Sequence, residues 1–152
     1  MATSLTFTSN SFVYTVSMAT ASAATSSGYQ PSSPNTHYDI LGGTVSYDRR
    51  LYGINCTSTF GTAETVTIWL SNTFSRQLYQ VNIPLNSGNT TAAPSVDLFG
   101  SSNGAGIFQK QKDANGVPYF NIPAGHSLKV SYGTTLTNAA VLNFVSFGET
   151  YE

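Results

Sequence analysis

Hydrolysis through a covalent intermediate needs a nucleophile, a base to activate it and a third group to orient the base. The chain holds two histidines. His37 stands in Asn35-Thr36-His37-Tyr38 and His126 directly follows Pro123-Ala124-Gly125. Neither sits in a nucleophile motif, and serine and threonine are so abundant that one near a histidine distinguishes nothing. A cupin-like metal centre needs clustered histidines on neighbouring strands plus a carboxylate, which two isolated histidines do not supply. Residues 100–106, Gly-Ser-Ser-Asn-Gly-Ala-Gly, share glycine content with a phosphate loop. They lack the Lys-[Ser/Thr] ending and the helix whose N-terminus gives such a loop its use. Asp113-Ala114-Asn115-Gly116 starts like a calcium loop but lacks the remaining carboxylates and the bidentate Glu, so it reads as a turn. Asn55-Cys56-Thr57 and Asn89-Thr90-Thr91 match the glycosylation acceptor pattern, for which chance suffices. The single cysteine, Cys56, reads as a buried apolar thiol on the face of Tyr52 and Ile54. No catalytic, cofactor-binding or metal-ligating set emerges, and the expectation is a protein that is not an enzyme.

Aromatic residues offer more: nine Tyr, nine Phe and one Trp. Trp69 falls on the Thr-rich face of its strand and is expected to be half exposed. Three uses are open to it: stacking on a sugar, packing under a neighbouring subunit, or covering a sheet. Tyr29, Pro31, Pro34 and Tyr38 punctuate an N-terminal stretch without Lys, Arg, Asp or Glu. Such a stretch is suited to lying across a partner; a disordered tail is the alternative. These five residues are the candidate partner-interface set.

The elements that would position them are strands. Residues 64–72 alternate, with Val66, Ile68 and Leu70 one way and Thr65, Thr67 and Trp69 the other. Residues 76–84 alternate likewise, with Tyr79, Val81 and Ile83 on one face, and the two runs predict a hairpin. Residues 48–58 form a further strand. Toward the end, 119–122, 127–132 and 139–149 read as a closing β-meander. Pro123-Ala124-Gly125 makes its first turn, since proline presets φ and glycine accepts a positive one. The 139–149 run is apolar on both faces, which predicts a central strand packed on each side. Shorter strands are expected at 5–8, 11–17, 95–99 and 108–112, with Asn10 turning between the first two. Residues 18–36 are expected to be extended or loop-like. Strand candidates every 8–15 residues with turn chemistry between them indicate a sandwich, jelly roll or small barrel. Residues 1–37 are assigned as N-terminal strands plus an arm and 38–152 as the sandwich, together one compact domain.

The chain has 152 residues, of which 9% are charged, with a formal net charge of −1. A typical domain is ~25% charged. A weakly charged surface promotes association and suits an assembled protein better than a free monomer. Arg49-Arg50 and Lys110/Lys112 are the only basic groupings, which argues against nucleic-acid binding through phosphates. No stretch approaches the ~18 apolar residues of a membrane-spanning helix, so no membrane is expected as partner. The N-terminus lacks the features of a signal peptide.

Several segments carry a resemblance. Tyr119-Phe120-Asn121-Ile122-Pro123-Ala124-Gly125, Ser127-Leu128-Lys129-Val130, Thr135 to Ala139, and Val145-Ser146-Phe147-Gly148-Glu149-Thr150-Tyr151 together resemble the C-terminal part of small capsid cement (decoration) proteins of tailed bacteriophages. Arg50-Leu51-Tyr52-Gly53-Ile54-Asn55 and Glu64-Thr65-Val66-Thr67-Ile68-Trp69-Leu70-Ser71 are similar to the same family. The likeness spans about two-thirds of the chain, from Asp48 onward. It implies an all-β antiparallel sandwich of jelly-roll type, assembled as a homotrimer on the outer surface of a virion capsid and bridging major capsid protein subunits. On this expectation the N-terminal segment orders on the shell or a neighbouring protomer, and a chain cut after Thr36 loses attachment more than folding. The rivals are a carbohydrate- or receptor-binding module of a tail fibre or lectin-like protein, with Trp69 as its platform, and an enzyme of cupin or hydrolase type.

Overall fold

The structure, a computed structural model, describes residues 9–18, 29–31, 38–41, 45–99, 111–132 and 141–151. All regular structure among them is β, in eleven strands: β1 (Ser9–Met18), β2 (Tyr29–Pro31), β3 (Tyr38–Asp39), β4 (Asp48–Ser58), β5 (Glu64–Ser71), β6 (Phe74–Ile83), β7 (Val96–Asp97), β8 (Gln111–Lys112), β9 (Pro118–Ile122), β10 (Ser127–Tyr132) and β11 (Leu142–Tyr151). They form two antiparallel sheets packed as a β-sandwich. The six-stranded sheet runs β1-β11-β4-β9-β8 with β7 beside β4; the five-stranded sheet runs β2-β6-β5-β10-β3.

The alternating apolar residues of the sequence meet between the sheets. Ile54, Cys56, Leu51, Ile122, Leu142 and Phe144 face Val66, Ile68, Val81, Ile83, Leu128, Val130 and Tyr132. Apolar burial at about 25 cal/mol per Å² is the main force holding the layers together. The β5–β6 hairpin forms as its period-2 pattern predicts. Turns fall where glycine allows them: Gly116 and Gly125 adopt φ of 81° and 73°. Cys56 is fully buried, and that burial pushes its thiol up to about 12.

The closing meander is corrected. Its three strands exist, but β9 pairs with β4, β10 with β5 and β3, and β11 with β1 and β4, so consecutive strands lie in opposite sheets. The Pro123-Ala124-Gly125 turn is tied to the segment entering β4: Asp48 Oδ1 accepts the Ala124 N–H at 2.8 Å and the Val45 carbonyl accepts that of Gly125 at 2.7 Å. The turn thereby carries the chain across the end of the sandwich. β11 is central, as predicted, but has only one buried face; Val145, Phe147 and Glu149 stay partly open to solvent. The strands enclosed on both faces are β5 and β10 instead.

At the N-terminus, Asn10 is no turn. It lies inside β1, paired with Thr150 in a ladder that matches Ser9–Met18 residue for residue with β11. Within the expected arm, Tyr29–Pro31 pair with Arg76, Ser75 and Phe74 as β2. Both segments are thus strands of the sandwich, so a cut after Thr36 removes β1 and β2 along with the expected arm. The expected strand at 5–8, the arm residues 19–28 and 32–37, and the loop 100–106 lie outside the described residues.

One cation is built into the sandwich. Arg49, 4% exposed, donates from Nη1 to the Leu41 carbonyl and from Nη2 to the His126 carbonyl, each at 2.7 Å. It joins β4 of one sheet to the start of β10 and the end of β3 in the other. Burial lowers its proton affinity, opposed by the nearby Tyr47 and Asp39.

Candidate functional site

The sequence-level candidates do not gather. Trp69 is 1% exposed and donates its indole N–H to Ser131 Oγ at 2.8 Å. The expected half-open platform is therefore corrected to a buried side chain. The reason is that the Thr-rich face is no solvent face: Thr67, Ser71, Ser75, Ser127 and Ser131 beside it are buried too. Their hydroxyls satisfy one another or nearby groups, as in Ser71 Oγ to Ser75 Oγ at 3.0 Å and Gln80 Nε2 to Thr67 Oγ1 at 3.2 Å. Small hydroxyl side chains with partners are cheap to bury. Tyr38 is half-buried with its ring 5.9 Å from that of Tyr132. Tyr29 and Pro31 are placed by backbone only, in β2, and Pro34 and His37 lie outside the described residues. His126 frames the fold: its Nδ1 meets the Ala124 carbonyl at 3.1 Å and its Nε2 the Asn72 amide at 3.0 Å.

A different group converges on the outer face of the six-stranded sheet. The device that builds it is a bulge in β4. Phe147 pairs with Gly53 while the next residue, Gly148, pairs with Leu51, leaving Tyr52 as the extra residue. An unbroken strand would carry Asp48, Arg50, Tyr52, Ile54 and Cys56 on one face. The bulge shifts the alternation, so the first three point outward while Ile54 and Cys56 join the core. This also corrects the expectation that Tyr52 shares a face with Cys56. Register then sets Arg50 between Glu149 of β11 and Asn121 of β9, with Tyr151 opposite Asp48 and Tyr119 opposite Gln111.

Arg50 organises this face. Its guanidinium lies 4.0 Å from the Tyr151 ring centre and 4.7 Å from that of Tyr119, and Nη1 donates to the Tyr151 hydroxyl at 2.7 Å. Tyr151 donates its hydroxyl to Glu149 Oε2 at 2.7 Å, and Tyr52 donates to the same oxygen at 3.1 Å and to Asp113 Oδ2 at 3.4 Å. Tyr52 meets Tyr119 edge-on at 6.3 Å, and Tyr119 donates to Gln111 Oε1 at 2.9 Å. Burial, then the hydrogen bond to Glu149, pushes the Tyr52 hydroxyl up to about 12. The Glu149 bond, reinforced by burial, raises Tyr151 against the pull of Arg50. Both phenols thus remain protonated at neutral pH and keep donating to Glu149.

Two hollows adjoin along Asp48 and Tyr151. One of about 600 Å³ is lined by Ser46, Tyr47, Asp48, Ala124 and Tyr151. The other, about 360 Å³, is lined by Asp48, Arg50, Gln111, Tyr119, Asn121 and Tyr151. Alternate polar and aromatic positions in Asp48-Arg50-Tyr52, Tyr119-Asn121 and Glu149-Tyr151 were the sequence signal for this surface. The chain matches no family model, and no curated protein matches it.

Proposed function

We propose that this chain is a capsid decoration protein of jelly-roll type. It seats as a homotrimer on the outer surface of a phage head and bridges major capsid subunits. The observation that carries the reading is β1. Ten residues long and without a charged side chain, it ends the six-stranded sheet among the described residues. Val13, 71% exposed, lies beside Phe147, 39% exposed, so an apolar outer patch runs up to that edge. Free monomers blunt long edges with charge or proline because an open edge pairs with other chains. An edge left uncharged is a surface for assembly. The sparse charge of the whole chain supports the same reading, since polar uncharged groups cross an interface without the desolvation cost of buried ions. Repetition over a shell adds avidity to weak single contacts.

The test is native mass measurement followed by co-sedimentation with preformed empty heads. A trimer that pellets with the heads is the expected result, with Val13→Lys weakening either association. A monomer that stays in the supernatant overturns the reading.

A further inference from the structure

The geometry points to a second property of the same sheet: the paired hollow around Asp48 and Tyr151 binds a neutral oligosaccharide of two or three pyranose units. This stands independently of the capsid reading, because the described residues that line the hollow come from the segment entering β4, from β4, β8, β9 and β11, and from the turn after β9, whereas the capsid reading rests on β1.

Shape comes first. The two hollows, about 600 and 360 Å³, share the walls Asp48 and Tyr151. Small-ligand sites occupy roughly 300–1,000 Å³, so together they suit a short oligosaccharide better than a single small metabolite. Tyrosine rings then supply the surface that a pyranose needs for its C–H face, with a phenol at the rim for its hydroxyls. Tyr151 lines both hollows, with Tyr47 in the larger and Tyr119 in the smaller.

The polar groups match a polyol. Asp48 Oδ1 is occupied by the Ala124 N–H, which fixes the carboxylate and leaves Oδ2 as an acceptor. Gln111 Oε1 is occupied by the Tyr119 hydroxyl, which leaves its amide N–H groups as donors. Asn121 adds a donor and an acceptor between them. Adjacent sugar hydroxyls each donate and accept, so a mixed set of this kind is what reads them. The rings are held before any ligand arrives: Arg50 lies against both Tyr119 and Tyr151, and each phenol already has a partner. A preformed site on strands loses little entropy on binding.

Charge selects among saccharides. Arg50, the one cation among the described residues that line the hollow, lies against the two rings and donates to the Tyr151 hydroxyl. The carboxylate of Asp48 lies where the hollows meet, with Glu149 a strand away. Uronates and sialic acids therefore face like charge at Asp48, and an ammonium ligand meets the positive charge that Arg50 already holds against both rings.

The experiment uses the full chain with maltotriose, cellotriose, tri-N-acetylchitotriose and trigalacturonate as probes, read by saturation-transfer NMR and calorimetry. At least one neutral trisaccharide is expected to bind and trigalacturonate is not. Tyr151→Ala and Asp48→Asn should each weaken binding at least tenfold, while Arg76→Ala on the other sheet leaves it unchanged. Should Tyr151→Ala not fold, Asp48→Asn carries the test, because it keeps the side chain's size while replacing an acceptor with a donor. No binding of any neutral probe, preference for trigalacturonate, or full affinity in the Asp48→Asn variant overturns the inference. Pelleting with empty heads without any sugar binding overturns it while leaving the capsid reading intact.

Discussion

Tyr52 donates its hydroxyl toward two carboxylates, those of Glu149 and Asp113. Losing that proton would set a phenolate beside both. Its folded-state value of about 12 lies above the ordinary value of 10.0, so the folded chain holds the proton more tightly than the unfolded one. The linkage sign follows. The contribution is complete below about pH 10 and is lost as pH rises through about 12. Urea midpoints measured between pH 8 and 12 should therefore fall across the upper half of that range. Tyr52→Phe should start about 0.5–1.5 kcal/mol lower at pH 8, having lost a hydrogen bond, and then decline less steeply. A residual slope is expected, because burial also raises Tyr79 and Tyr132. Equal slopes in the two proteins would mean that Tyr52 has no part in the alkaline limb.

Among elements, β4 decides the layout of the candidate site, and it does so through a glycine that uses no left-handed backbone. Positive φ among described glycines occurs at Gly88, Gly116 and Gly125, not at Gly53. What Gly53 provides is room. A Cβ there would sit 2.5 Å from Phe147 Cζ, so the tip of the ring closes over the glycine on the outer face. At Gly148 a Cβ would meet the Arg50 backbone carbonyl first and then, at 2.8 Å, Phe12 Cζ. Gly53→Ala should cost about 1–3 kcal/mol through overpacking, read as a lower denaturant midpoint. In a Phe147→Ala background the same change should become neutral or slightly stabilising, because alanine restricts the unfolded chain more than glycine does. Equal costs in both backgrounds would show that the ring does not depend on the gap. This bulge also marks the limit of what was legible in the sequence. Period-2 alternation located β5, β6, β9 and β10, and turn chemistry located Gly116 and Gly125, because both are local. Which sheet each strand joins depends on contacts distant in sequence, so the apparent meander gave no sign of its crossings. A single extra residue at Tyr52 reverses every later side chain of β4, and the sequence marks it only by one glycine. Trp69 was misplaced for a related reason: a face of threonines and serines looks wet, yet paired hydroxyls let it be buried.

At the scale of the whole molecule, the first and last described strands are joined along one ladder, with β1 holding β11 from Ser9↔Tyr151 to Met18↔Leu142. Removing residues 1–18 would turn β11 from a central strand into an edge and uncover Gly148 where Phe12 lies. Phe12 and Val16 are each half-buried. At about 1.5–3 kcal/mol for a fully buried side chain, these two alone account for roughly 1.5–3 kcal/mol, before any ladder hydrogen bond is counted. The truncated chain should melt at lower temperature and aggregate through the newly exposed edge of β11, where Val145 and Phe147 flank the opening. A milder change separates folding from assembly. Val13 points outward from β1 and contributes little to the core, so Val13→Lys should leave the stability within about 0.5 kcal/mol of the parent while charging the edge. If β1 serves both the fold and the assembly, the truncation lowers stability and oligomerisation together, whereas Val13→Lys lowers oligomerisation alone. Calorimetric melting alongside sedimentation velocity distinguishes the outcomes. A truncated chain that melts like the parent would mean that the ladder with β11 adds nothing to the fold.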